Sequence, residues 1–177
     1  MFTCSADNAS IHIYTYKAGL LAAVGHDVLL RVARFSLEAD PDELSIRGTM
    51  DPSSIEVVNA VHNDIETPDA LSAADRKTIL KYVQKNILNV SQYPEISFES
   101  TDVFDEDGEW EVEGDLTLHG TSRSITLTAQ ADGDELVSEI TLNQPAFGIK
   151  PFSAMMGALK IKPDVRIVIR VPVAAFA

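Results

Sequence analysis

The chain has 177 residues, of which 45% are hydrophobic, and a formal net charge of −13. This length and apolar content predict one domain, residues 1–177, with a hydrophobic core of its own. The acidic balance argues against a nucleic-acid partner, which needs a basic patch to neutralise phosphates. Cys4 is the single cysteine, which excludes an intramolecular disulfide and a cysteine zinc cluster.

No targeting segment is recognisable in the sequence. Residues 1–10 contain no basic side chain and no apolar run, and a secretory leader has both. The densest early apolar stretch, residues 18–24, is too short to span a bilayer. We therefore expect a cytoplasmic protein without a transmembrane segment.

Residues 10–58 predict a series of short strands. Residues 17–25, rich in Ala and Leu, predict a short helix or turn instead. The apolar phase of residues 28–39 shifts in the middle of the run, which indicates one long strand that bends at a bulge. The strands are expected at 10–16, 28–39, 44–50 and 55–58.

One helix is expected, at residues 72–89. Ser72 stands three residues before Asp75, an acidic variant of the capping box that starts helices. Apolar residues then recur at the three-and-four spacing of one helical face. They are Ile79, Tyr82, Val83, Ile87 and Val90.

The second half of the chain predicts further antiparallel strands. Strict alternation of apolar and polar residues marks a three-strand meander over residues 92–128. Strands are also expected at 135–143 and 159–173, around a loop at 144–158 rich in Gly, Pro, Phe and Met. The chain therefore reads as all-β with one main helix, arranged as a barrel or a sandwich.

Two sequence motifs resemble the signature of the YceI-like proteins. The segments YPEISFES at 93–100 and GDLTLHGTSR at 114–123 follow one another in the order and spacing of that family. Gly25-His26 and Phe147-Gly148-Ile149 fit the same pattern. The resemblance extends from about Ile11 to Val173.

This resemblance implies a closed, lipocalin-like antiparallel barrel of eight strands, with a polyisoprenoid or a similar amphiphile in its apolar interior. Members are commonly exported to the periplasm. This sequence departs from the family in lacking a leader and in carrying the helix at 72–89. Many relatives have a shorter segment there, with an Arg-Asp and a Phe-Phe pair, whereas here Asp75-Arg76 reverses the first pair and the second does not occur. The chain thus looks like a cytoplasmic branch of the family.

Candidate binding residues follow from the alternation and from the late loop. The large apolar residues of the loop suit an adaptable pocket and would gate its mouth, although the same residues could plug the barrel end. The side chains expected to contact an apolar tail are Phe35, Phe98, Trp110, Leu116, Phe147, Phe152, Met155 and Met156. Possible contacts to a polar head group are His26, Arg76, His119 and Arg123.

Three other functions are weighed against this one. A barrel of this size is just wide enough either to be filled by its own side chains or to hold one small ligand. A filled barrel would serve as an interaction module, and it could form a homodimer. His26 could instead hold a metal or a haem. An enzyme is not expected, since the sequence has neither a nucleophile elbow nor a Gly-rich phosphate loop, and no cofactor is predicted.

Overall fold

The computed structural model describes residues 1–106 and 109–175, and within these ranges the chain is mostly β-structure with one main helix. Helix α1 spans Ala73–Tyr82 and continues through one π-helical turn, Val83–Ile87. Short 3-10 turns occur at Ala22–Val24, Pro52–Ser54, Gln144–Phe147, Met155–Gly157 and Val173–Ala175. The strands are β1 Phe2–Cys4, β2 Ser10–Thr15, β3 Lys17–Ala18, β4 Asp27–Val32, β5 Phe35–Asp40, β6 Ser45–Met50, β7 Ile55–His62, β8 Ile65–Thr67, β9 Ile96–Glu106, β10 Glu109–Leu118, β11 Thr121–Asp132, β12 Glu135–Asn143, β13 Ser153–Ala154, β14 Leu159–Ile161 and β15 Asp164–Pro172.

Twelve of these strands form one antiparallel sheet that curls strongly into an open half-barrel. Their order is β1-β5-β6-β9-β10-β11-β12-β15-β2-β4-β7-β8. The expected all-β antiparallel class with one helix is confirmed, but the closed barrel of eight strands is wrong. Within the described residues β1 and β8 are the two edges of the sheet and do not pair with each other, so the hydrogen-bonded ladder does not close.

The expected long strand at 28–39 is in fact two strands with different neighbours. β4 pairs with β2 and β7, whereas β5 pairs with β1 and β6. The phase shift in the sequence therefore marks a crossing between the two halves of the sheet and not a bulge. Backbone N–H groups at the crossing donate to Ser54: Ala33 to its carbonyl oxygen at 3.2 Å and Arg34 to its Oγ at 2.8 Å.

The same crossing is held by an exposed carboxylate. The Arg34 guanidinium donates to Asp51 at 2.6 Å, and the Ser53 hydroxyl donates to the same side chain at 2.6 Å. The hydrogen bonds from Ser53 and then from Arg34 hold the pKa of Asp51 below its ordinary value of 3.8. These contacts tie the start of β5 to the turn before β7.

The helix begins and ends close to the predicted positions. Its capping box is present: Ser72 Oγ accepts from the Asp75 N–H at 3.1 Å, and the Ser72 N–H donates to Asp75 Oδ2 at 3.0 Å. Ile79 and Val83 pack against the apolar side chains of β2, β4 and β7, and Ile87 packs against those of β9 and β10. The helix therefore packs against the inner apolar side of the sheet, in contact with two of its core clusters.

A small second sheet, in the order β13-β14-β3, lies at one end of the half-barrel. It places the loop 19–25 beside the loop 155–158, because Lys160 is in register with Ala18 and with Ser153. The Leu21 N–H donates to the Ala158 carbonyl oxygen at 2.8 Å. The expected helix or turn at 17–25 is thus a two-residue strand followed by a 3-10 turn, and the late loop contributes β13.

Candidate ligand cavity

The concave side of the half-barrel encloses a cavity of about 590 Å³. Its wall is almost entirely apolar, because the inward side chains of each alternating strand converge on it. Side chains from every part of the sheet contribute, among them Ile13, Leu30, Phe98, Leu127, Ile140 and Ile167. The filled-core alternative requires a closed interior with space for a few waters at most, and this cavity contradicts it.

The core falls into three clusters, and the two larger ones both contribute side chains to the cavity wall. One contains Val28, Leu30 and Phe35 and packs against the helix. The other contains Phe98 and Leu116 of the meander. Apolar cavities of this kind in proteins tend to stay dry and to accept apolar guests. The fold therefore supplies an apolar cavity between these clusters instead of a continuous core.

Few polar atoms reach the cavity wall. The hydroxyl of Ser138 is buried and has no hydrogen-bond partner among the described residues. Gln144, also buried, uses its side-chain amide to donate to the carbonyl oxygen of Lys162 at 3.1 Å. Because an unpaired buried hydroxyl is costly, Ser138 is a point where a guest molecule with a polar atom would gain a hydrogen bond.

The mouth of the cavity is at the end that carries the small sheet. Of the residues that line the cavity, those that are also exposed to solvent all lie at this end, between the helix and the two loops. They are Val24, His26, Thr78, Tyr82 and Lys160. The Tyr82 and Phe152 rings meet edge to face with their centroids 5.0 Å apart, so an aromatic pair joins the helix to the late loop at the rim.

The predicted tail-binding residues divide between the cavity wall and other positions. Phe35 is buried, at 9% exposure, but packs within the cluster behind the helix and does not line the cavity. Met155 and Met156 are exposed and lie outside the lining. The remaining five line it: Phe98, Trp110, Leu116, Phe147 and Phe152.

Of the predicted head-group residues, the structure places only His26 at the cavity. The His119 ring packs against Tyr93 with the centroids 4.3 Å apart, and Arg123 donates to the carbonyl oxygen of Ala146. Arg76 is half-buried, with its Nε atom unpaired among the described residues. The three do not line the cavity. His119 and Arg123 instead hold the β10–β11 hairpin against its neighbours.

Sequence reasoning missed Lys17, which lines the cavity near its mouth. Its Nζ donates to the carbonyl oxygen of Gly25 at 3.1 Å, and its backbone N–H donates to Asp27 Oδ1 at 2.7 Å. β3 has only two residues, too few for an alternation to show which way the lysine points. The helix residues Ile79 and Val83 were recognised as one face, yet nothing in their spacing shows that this face borders a cavity.

Two further observations limit the kind of site. Within residues 1–106 and 109–175, no three His, Cys, Asp or Glu side chains come together as they do around a metal ion. None of the helices described is both long enough and apolar enough to cross a membrane.

Solved structures with the same fold have low sequence identity to this chain. BcnA of Burkholderia cenocepacia superposes with a TM-score of 0.63 at 15% identity over 92% of this chain and 94% of its own. A polyisoprenoid binding domain from Saccharophagus degradans superposes with a TM-score of 0.61 at 11% identity, over 96% of this chain and 95% of its own. The YceI protein of Campylobacter jejuni superposes with a TM-score of 0.56 at 15% identity, over 80% of this chain and 81% of its own. At these identities the likeness shows the fold.

Sequence comparison gives the family. A UPF0312 protein of Vibrio cholerae is 35% identical over 85 residues, which is 47% of this chain and 43% of the relative. A UPF0312 protein of Yersinia pestis is 32% identical over 78 residues, which is 44% of this chain and 37% of the relative. These matches thus span less than half the length of the curated relatives. The family model for the YceI-like domain matches residues 21–173. The chain therefore belongs to the YceI-like domain family.

Proposed function

We propose that the chain is a non-enzymatic binding protein that holds one long apolar or amphiphilic molecule, isoprenoid-like or lipid-like, in its cavity. The observation that carries the proposal is the apolar cavity of about 590 Å³ with its mouth at one end. This volume falls inside the range of about 300–1,000 Å³ that is typical of small-molecule pockets. An apolar wall stabilises a long apolar chain by burying it, and it provides few hydrogen-bond partners for a strongly polar molecule.

The binding energy available from such a wall is sufficient for a carrier. Each buried methylene contributes about 0.8 kcal/mol, so about ten of them contribute about 8 kcal/mol before the entropic cost of association. If association costs about 4 kcal/mol, a tail of about fifteen methylenes leaves about 8 kcal/mol, which corresponds to a dissociation constant of about 1 μM. The tail would lie against Phe98, Leu116 and Phe147, which line the cavity.

The polar end of an amphiphile would lie at the mouth. Lys17, His26 and Lys160 line this end, and their nitrogen atoms offer hydrogen bonds that the rest of the wall lacks. Likeness to the Saccharophagus degradans domain, described as polyisoprenoid binding, supports an isoprenoid-like tail for this chain. The deeper hydroxyl of Ser138 would accept or donate one hydrogen bond to an oxygen-bearing guest.

Native mass spectrometry tests this proposal. The protein is incubated with a long-chain isoprenoid alcohol, and we expect one adduct per chain that survives transfer to the gas phase. Organic extraction of the protein as purified is the companion measurement, with an apolar compound expected in the extract. An absence of any adduct, together with no uptake of a fluorescent fatty acid, would contradict the proposal.

A further inference from the structure

Exposed apolar side chains are concentrated on the two loops beside the cavity mouth. Leu20 is 95% exposed, Val24 is 70% exposed, Met155 is 65% exposed, and Met156 is fully exposed. The loops that carry them lie side by side, because the Leu21 N–H donates to the Ala158 carbonyl oxygen. We call these four residues the apolar rim. Large apolar side chains that are exposed close together are typical of surfaces that bind a partner or a membrane.

The backbone of the apolar rim is in an unusual conformation. Met155 and Met156 have φ angles of 50° and 57°, in the left-handed region that long side chains rarely adopt. Such outliers persist where the surrounding structure holds them, and they are concentrated at functional positions. Here the conformation turns two consecutive methionines towards solvent. Methionine is flexible and adapts to irregular apolar surroundings.

The apolar rim is continuous with the cavity. Val24 belongs to both, since it lines the cavity while being mostly exposed. Gly25 follows it and lies so close to Leu159 that an added Cβ would be 2.9 Å from Leu159 Cδ1. An apolar path thus runs from the exposed tips of the loops into the cavity wall.

Two lysines lie beside the loops of the apolar rim, although the chain as a whole is acidic: Lys17 Nζ donates to the Gly25 carbonyl oxygen, and the end of the Lys160 side chain lies against Gly157. Among the described residues every ion pair contains an arginine, and no lysine takes part in one. Lys17 and Lys160 line the cavity, and Lys162 follows β14 directly.

We propose that this end of the molecule docks on the surface of an anionic lipid bilayer. The apolar rim would enter the interface between head groups and acyl chains, and the neighbouring lysines would contact the anionic head groups. Docked in this way, the mouth opens towards the bilayer, and an amphiphile passes between bilayer and cavity without crossing water. Only this transfer step depends on the proposed ligand function. Docking itself depends on the rim and its charges.

Vesicle flotation tests the docking. The probe is vesicles of phosphatidylcholine and phosphatidylglycerol in equal parts, compared with vesicles of phosphatidylcholine alone. We expect the protein to float with the anionic vesicles and to be released by salt. Leu20→Glu and Met156→Glu should each weaken the binding by about tenfold or more, since each removes one apolar side chain from the lipid. Both side chains are exposed, so the variants should fold normally.

The matched control is Leu44→Glu. Leu44 is 57% exposed and also has a positive φ, but it lies in the turn between β5 and β6, apart from both loops. Its substitution should leave flotation unchanged. Wild-type protein that does not float with anionic vesicles would overturn the proposal. The proposal would also be overturned if Leu44→Glu reduced flotation as much as Leu20→Glu and Met156→Glu do. A dimer in sedimentation velocity that Met156→Glu dissociates, without vesicle binding, would assign the rim to a second copy of the chain and overturn it too.

Uptake of a fluorescent fatty acid from water separates docking from ligand binding. Leu20→Glu should keep this uptake while losing flotation, which supports the docking proposal. If the wild-type protein floats but takes up no probe, docking stands and the proposed ligand function fails.

Discussion

Replacement of Gly114 by alanine tests how the meander shapes the cavity wall. Gly114 opens the second sequence motif and lies in β10, where the register between β9 and β10 shifts. A Cβ added there would lie 2.5 Å from the carbonyl oxygen of Glu99 and 2.5 Å from Cζ of Phe98. The carbonyl belongs to the paired strand, and the ring lines the cavity, so neither can move without disturbing the sheet or the wall.

The expected loss of stability is about 1.5 kcal/mol. Forcing an extra methyl group into a packed position costs about 1–3 kcal/mol. Replacing a glycine inside a strand by alanine offsets about 0.5–1 kcal/mol of this loss of stability, because alanine loses less conformational freedom on folding. For a chain of this size the difference corresponds to a melting temperature lower by about 3–6 °C.

Urea unfolding is the assay, with stability taken from the midpoint at an unchanged slope. Gly48→Ala is the matched control, because its added Cβ would come closest to the flexible end of Leu37, at 3.0 Å, and would have Met50 Cε and Phe98 Cβ at an ordinary contact distance of 3.6 Å. We expect that variant to stay within about 0.5 kcal/mol of the wild type. The reasoning is refuted if Gly114→Ala is as stable as the wild type, or if both variants lose the same amount.

The cavity, the aromatic pair at its mouth and the crossing between β4 and β5 each lead to one further prediction. Leu127→Trp fills part of the cavity and should weaken uptake of a fluorescent fatty acid by about tenfold. Thr128→Trp, on the outer face of β11, should leave this uptake unchanged. Equal uptake by both variants would argue against binding in the cavity. Tyr82→Ala removes the edge contact with Phe152 and should speed release of the bound probe by about threefold to tenfold in stopped-flow measurements; an unchanged rate would mean that the pair does not restrict the mouth. Because the pKa of Asp51 is lowered on folding, its contribution to stability is present above pH 3.8 and is lost as the pH falls through the folded-state pKa. Asp51→Asn should therefore show a smaller drop in melting temperature across that range than the wild type, and identical drops would contradict this.

Local features of the fold were predictable where one segment contains its own signal. The alternation from Trp110 to Leu118 gave the strand and its inward face, and the capping pair Ser72 and Asp75 gave the start of the helix. These signals depend on residues within a few positions of each other. The resemblance to the family was confirmed by the family model, but the closed barrel of eight strands that it implied was wrong.

The predicted meander was confirmed, since β9 pairs with β10 and β10 with β11, but strand neighbours that are distant in the sequence could not be predicted in the same way. The segment 28–39 has the alternation of a strand on both sides of Ala33, and nothing local shows that its halves pair with different strands. Closure of the sheet is likewise a property of pairings between distant segments. The number of strands and the open edge between β1 and β8 therefore emerged only from the structure.

The candidate site shows the same limit. Phe98 and Leu116 were placed on the inward face by alternation, and both line the cavity. Met155 and Met156 belong to a turn whose backbone angles point them outward, and no periodicity reveals that. Contact of any of these residues with a ligand, a cytoplasmic location and a homodimer all remain predictions.

A crystal structure of the protein with a brominated isoprenoid alcohol would test the central claim most directly. Anomalous scattering locates the bromine atom independently of the rest of the ligand. We predict one bromine peak inside the cavity, with elongated density running along Phe98 and Leu116 towards the mouth beside Tyr82. A cavity that contains only ordered water, with the bromine bound elsewhere or nowhere, would contradict the account.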